Sequence, residues 1–174
     1  EKEFLNDIVK DILDKKDDYL KVDIGHGEKV NIEYVSANPT GPFHIGHGRW
    51  AALGSALASI MKYDGYDVFQ EFYINDAGNQ INKLAKSLEI RVRQLQGEKI
   101  EMEEGLYPGE YLIDCAKRYL KDNKGLSYGD FAKADMLRQQ KELLEKFGTH
   151  FDLFFSELTL YNDGEVDKAM ESLK

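Results

Sequence analysis

Two histidines, a glycine between them and a proline-stiffened polar loop ahead of them are the side chains of this sequence best placed to do chemistry. They occupy Ser36-Ala-Asn-Pro-Thr-Gly-Pro-Phe-His-Ile-Gly-His47, which leads into an Ala/Leu-rich stretch. If that stretch is a helix, its first-turn N–H groups and its dipole favour an anion at His44–His47. His44 and His47 can add hydrogen bonds to a phosphate, and Gly46 would let a flat ligand lie against bare backbone. A His-x-Gly-His spacing on its own arises by chance in many helices. The Asn38-Pro-Thr-Gly-Pro42 prefix makes it specific. Pro39 and Pro42 are two of only three prolines in the chain, and they lower the cost of presenting the loop in one shape. A turn that merely joins strand to helix needs neither two imidazoles nor an asparagine and a nearby carboxylate.

That carboxylate is Glu33, three residues before the loop. A central parallel strand reads as nearly continuous apolar residues, so a charge there needs a partner. A ligand guanidinium matches a carboxylate best, because its planar donors engage both oxygens. An internal salt bridge or exposure on an edge strand would serve equally on residue pattern alone. Asn75 and Asp76, in Tyr73-Ile-Asn-Asp-Ala-Gly-Asn-Gln80, repeat the strand–turn–helix layout and read as caps of the following helix. His26 and His150 have no partners at metal or catalytic spacing. His44 and His47 lack a third ligand nearby, so phosphate is preferred to a metal.

The elements that must hold these groups are legible from periodicity. Alternation over Lys29–Val35 and over Asp67–Ile74 predicts two strands. Residues 45–64 form a helix between them, with Ile45, Leu53, Ala56, Leu57, Ile60 and Met61 expected on its buried side and Asp64-Gly65 ending it. Strand, helix and strand make a βαβ unit with parallel strands. Residues 2–16 form an amphipathic helix expected to pack on the core. Beyond Gly78 the pattern turns helical: Leu84, Leu88, Val92 and Leu95 define one helix, Tyr111–Leu120 a second and Phe131–Phe147 a third. Gln96–Gly109 is a loop, Phe151–Phe155 and Leu158–Tyr161 are expected as short strands, and Glu165–Lys174 reads as a helix. The domain expectation is an N-terminal helix and linker over 1–27, an α/β nucleotide-binding core over 28–82 and a mostly helical insertion over 83–174.

Composition sets the limits. The 174 residues are 42% hydrophobic and include 9 Phe and 10 Tyr, enough to bury a core. No apolar run approaches the roughly 18 residues of a membrane span, and no leader peptide is visible. The single Cys115 excludes an internal disulfide and fits a reducing cytoplasm. A net charge of −9 argues against a general polyanion-binding face.

The chain resembles the class I aminoacyl-tRNA synthetases, and within them the arginyl-tRNA synthetases, through Val35–Arg49, Ala51-Ala-Leu-Gly54, Gly65-Tyr-Asp-Val68 and Tyr73–Ile81. Weaker similarity continues through Tyr111–Ala116 and Phe147–Tyr161. The resemblance implies the first half of a Rossmann-like parallel-sheet nucleotide-binding domain with a mostly helical insertion. It also implies ATP as substrate, with Mg²⁺ accompanying the nucleotide, and arginine and tRNA(Arg) as partners. His44, Gly46 and His47 would be the catalytic signature. Asn38, Pro39, Thr40, Gly41 and Pro42 would join them around ATP, and Glu33, Ser36, Ala37, Asn38 and His47 would form the arginine side. The parent would be a cytoplasmic, monomeric arginine–tRNA ligase without membrane attachment or a protein-liganded metal. Position 50 is Trp where many relatives carry Gly, so the wall of the site differs there. The family's second signature, a Lys-Met-Ser-Lys-Ser-like loop, is absent, so this chain is expected to be an incomplete piece of the catalytic domain, inactive alone. A non-catalytic paralogue or interaction module, or another His-x-Gly-His nucleotidylyl transferase, is the alternative.

Overall fold

A computed structural model describes residues 2–19 and 21–174. Three strands, β1 (Lys29–Glu33), β2 (Asp67–Ile74) and β3 (Leu153–Ser156), form one sheet in the order β1-β2-β3, with both pairings parallel. Between β1 and β2 runs α2 (Ile45–Tyr63), so the expected βαβ unit is present. Three helices separate β2 from β3: α3 (Asn79–Leu95), α4 (Tyr111–Lys121) and α5 (Tyr128–Phe147). The N-terminal helix is α1 (Lys2–Lys15), and two short helices close the chain, α6 (Glu157–Asn162) and α7 (Glu165–Ser172).

Two apolar clusters organise the molecule, and α5 belongs to both. Leu84, Leu88 and Val92 of α3 meet Leu112, Cys115 and Ala116 of α4 and Ala132 and Met136 of α5. From Leu137, beside Met136, to Leu144, about two turns further along α5, the helix packs with Tyr34, Ala51, Phe72 and Ile74 on the sheet side. A helix shared between two cores fixes the insertion against the sheet, because neither cluster can shift without unpacking the other.

Four expectations need correction. The large apolar residues of α2 point outward: Leu53, Leu57 and Ile60 are exposed, and so is Ile45, while Ala51, Gly54 and Ala58 form the buried stripe. Small residues win because the helix lies close to β1, and a Cβ on Gly54 would overlap the ring of Tyr34. The apolar residues Phe4, Leu5, Val9, Ile12 and Leu13 of α1 are exposed rather than packed on the core. Leu158–Tyr161 lies in α6, not in a strand, although the preceding segment does form β3. Finally, β1 is an edge strand of this sheet and ends at Glu33, not Val35. Val35 and Ser36 leave the extended region altogether, at φ 66° and 42°.

Candidate active site

The loop 34–44 crosses the carboxyl end of β1 and delivers His44 to the start of α2. In open α/β sheets this end is where ligands bind. His44 is the N-cap residue of α2. Its Nδ1 accepts the Gly46 N–H at 3.1 Å, and the Nδ1 of His47 accepts the backbone N–H of His44 at 3.1 Å. The two imidazoles therefore cap the helix reciprocally, as Ser and Glu do in an ordinary capping box. An Nδ1 that accepts leaves the proton of a neutral ring on Nε2, so the cap does not use up the rings' donor capacity. The ring centroids lie 3.9 Å apart. Burial, and secondarily the charge of His44, holds the His47 pKa below its ordinary value and favours this neutral form.

This geometry changes the role of Gly46. The space above its Cα is not free for a ligand: a Cβ there would stand 2.9 Å from Cε1 of His44. Gly46 makes room for the capping ring of His44.

Glu33 is exposed, contrary to a buried central carboxylate; it pairs in register with Glu71 on the edge of the sheet. With Tyr34, Val35, Ser36, Trp50, Leu53 and Gly54 it lines an open cavity of about 380 Å³. Trp50 joins this cavity to the histidines, standing edge-on to His47 at 5.6 Å between centroids. Of the residues assigned to arginine, Glu33 and Ser36 line the cavity. Ala37 is buried, and the Asn38 amide donates to Gln80 Oε1 at 2.7 Å. Ser36 is held by its own hydroxyl, which accepts the Tyr73 N–H at 3.1 Å and ties the loop to the end of β2. Left-handed backbone at a β-branched residue such as Val35 is strained, and strain of this kind clusters at functional sites.

The residues assigned to the nucleotide follow on the loop. Pro39 is fully buried, Thr40 and Gly41 are half-buried, and Pro42 is exposed. Their backbone is gripped from the helices: Tyr111 Oη donates to Thr40 O at 2.7 Å, and Gln140 Nε2 donates to Asn38 O at 3.1 Å and Gly41 O at 3.0 Å. Burial pushes the Tyr111 hydroxyl up to about 12, so it remains a donor across the working pH range. Neither Gln140, Tyr111 nor Gln80 was marked by sequence spacing. Only a polar residue on an otherwise apolar helix face, as at Gln140, could have signalled them.

Asn75 and Asp76 do not cap α3, whose N-cap is Gly78 without a side-chain bond. Asp76 instead accepts from Ser156 Oγ at 2.8 and 2.9 Å, from Leu158 N–H at 3.1 Å and from Lys133 Nζ at 3.3 Å. Burial alone would raise its pKa; these donors outweigh that and hold the carboxyl below its ordinary value. His26 and His150 are exposed beside Asp23 and Glu145. Cys115 is buried, and burial followed by the charge of Asp135 pushes its thiol up to about 12, which makes it inert packing. No described helix is long and apolar enough to cross a membrane.

Known proteins share this arrangement. An arginine–tRNA ligase of a Synechococcus species is 48% identical over 91% of this chain and 28% of its own length. The arginine–tRNA ligase of Thermotoga maritima is 45% identical over 99% of this chain and 34% of its own length. A crystal structure assigned as an arginyl-tRNA synthetase from Campylobacter jejuni superposes with a TM-score of 0.86 at 36% identity, covering 99% of this chain and 40% of that one. The chain thus spans about a third of the length of the curated relatives it matches. The family described as tRNA synthetases class I (R), catalytic domain, matches residues 8–154. With the strand–loop–helix site and this match together, the chain belongs to the class I (R) tRNA synthetase catalytic-domain family.

Proposed function

We propose that this chain supplies the ATP-binding and arginine-binding half of an arginine–tRNA ligase, working as part of a longer protein. The observation that carries the proposal is the reciprocal cap of His44 and His47, which commits both Nδ1 atoms and leaves Nε2 of each neutral ring as the donor, at a helix start joined through Trp50 to the cavity of Glu33 and Ser36. ATP lies along Asn38–Pro42 with its phosphates at His44, Gly46 and His47. Glu33 receives the guanidinium of arginine, with Ser36, Ala37, Asn38 and His47 completing that side. The arginine carboxylate attacks the α-phosphorus, the bond to the β-phosphate oxygen breaks, and arginyl-adenylate and pyrophosphate form. The two imidazoles hydrogen-bond the charge that builds on the phosphate oxygens, which is positioning and electrostatic catalysis rather than proton transfer. Among the described residues no group of three His, Cys, Asp or Glu side chains could hold a metal; Mg²⁺ carried on the triphosphate would add charge neutralisation. Arginine then passes to the terminal ribose of tRNA(Arg), bound through the rest of the protein. A reducing, cytoplasmic setting is the one that the single buried thiol supports.

Pyrophosphate exchange by the full-length protein, measured across the amino acids, tests the proposal. Exchange dependent on arginine alone is the expected result. Exchange driven by another amino acid would reassign Glu33, and no exchange with any amino acid would favour a non-catalytic paralogue.

A further inference from the structure

The loop assigned above to ATP and arginine is stiffened by Pro39 and Pro42, but hydrogen bonds of its own contribute little to its shape. Among the described residues, 37–42 take part in no backbone–backbone hydrogen bond, and Pro39 and Pro42 have no N–H to offer. Three of its carbonyls are satisfied from outside. Gln140 of α5 takes those of Asn38 and Gly41 with one amide nitrogen, and Tyr111 of α4 takes that of Thr40. Gln140 is only 3% exposed, and its Oε1 is buried without a partner. The amide orientation follows from the two carbonyls, since a reversed amide would set oxygen against oxygen. An apolar side chain of the same length would fill the site without the unpaired Oε1, at the loss of the donor to the Asn38 and Gly41 carbonyls. Donation to the loop is therefore what a glutamine does here that packing does not require.

We propose that Gln140, assisted by Tyr111, is a positioning residue for adenylate formation: the helical insertion sets the conformation of the substrate loop through these two side chains. The inference rests on the loop's assignment to ATP and arginine. The physical basis is that proximity catalysis tolerates little misplacement, about a hundred-fold in rate for an ångström. A loop with no internal hydrogen bonds depends on its external grips for that accuracy. Gln140 and Tyr111 grip adjacent carbonyls, so releasing one leaves less for the other to hold.

The test uses the full-length protein. Gln140→Met keeps length and removes both donors; Tyr111→Phe removes one hydroxyl; Gln139→Met is the matched control, because Gln139 lies on the same helix and bonds Asp135 rather than the loop. Thermal midpoints and the kcat and KM of arginine-dependent pyrophosphate exchange are measured for each. Gln140→Met should lower kcat/KM for ATP by about ten- to a hundred-fold, with a thermal midpoint close to that of Gln139→Met, which keeps its exchange rate. Tyr111→Phe should act in the same direction, and the double variant should lose less than the product of the single losses. Lowered stability with unchanged exchange would reduce Gln140 to a packing residue and overturn the proposal. If Gln140→Met fails to fold, an undiminished exchange rate in Tyr111→Phe overturns it instead. His47→Ala is run alongside: full exchange in that variant removes the site assignment and this inference with it, whereas its loss beside intact Gln140→Met and Tyr111→Phe activity removes only the inference.

Discussion

His44 and His47 do two things with one ring each. Their Nδ1 atoms close the helix N-terminus, and in the proposed function the Nε2 of the same rings is the group offered to phosphate. Removing the ring in His47→Ala should lower arginine-dependent exchange about 10²–10³-fold, the usual effect of losing one preorganised donor to developing charge. The loss of folding stability should be only about 1 kcal/mol, that of one helix cap. Pre-steady-state adenylation rates beside a denaturation curve check both figures; normal adenylation would remove His47 from the site. Glu33→Gln keeps the shape of the side chain and deletes its charge. Arginine binding should weaken by about 1.5–3 kcal/mol, the range for hydrogen bonds to charged groups, and ATP affinity should change little. Because Glu33 is exposed in this chain, its discrimination depends on the pocket being closed around it. Calorimetric titration of the full-length variant with each substrate separates the outcomes, and equal losses for arginine and ATP would make Glu33 a structural residue.

Among the elements, β2 carries the greatest load, since both other strands pair with it and the start of the loop is tied to it through Ser36. Asp76, two residues beyond β2, fastens its end to Ser156 at the end of β3, to Leu158 just after it and to Lys133 on α5. Asp76→Ala strands those donors and should destabilise the fold by about 1–3 kcal/mol. The pH dependence has a definite sign. A carboxyl held below its ordinary value of 3.8 in the folded state takes up its proton first in the unfolded state. Its stabilisation is complete above that ordinary value and is lost as pH falls through the folded one. Chemical denaturation from pH 7 down to about pH 3 should therefore show a steeper acid loss in the wild type than in Asp76→Ala. Parallel pH profiles would show that the clamp contributes nothing.

At the scale of the whole molecule the site is open on one side. The cavity of Glu33 faces outward at the edge strand, and Trp50, Leu53, Leu57 and Ile60 of α2 stand exposed next to it. The sequence holds no lysine-rich second signature to neutralise the leaving pyrophosphate. These 174 residues by themselves should therefore show no arginine-dependent pyrophosphate exchange above background. Exchange by the purified chain at rates near those of a full-length synthetase would contradict the division of the site between this chain and further sequence.

The sequence by itself determined the parts of this protein that rest on local rules. Periodicity is a local property, and it located β2 at Asp67–Ile74 and the helical run after Gly78; the loop–helix junction at His44 followed from a contiguous motif. The side on which each element is buried was decided only in three dimensions. Leu53, Leu57 and Ile60 are apolar, yet close approach to Tyr34 demanded the small face of α2 instead. Leu158–Tyr161 alternates acceptably for a strand, but it follows an Asp76-bound N–H into a helix. Residue pattern left Glu33 open between a ligand partner, an internal salt bridge and an edge strand; it stands exposed at an edge, because strand order is set by contacts distant in sequence. The grips of Gln140 and Tyr111 on the loop span 99–102 and 71 positions along the chain. No spacing rule reaches that far, so the residues that could do chemistry were legible in the sequence, while the ones that hold them in place emerged only from packing.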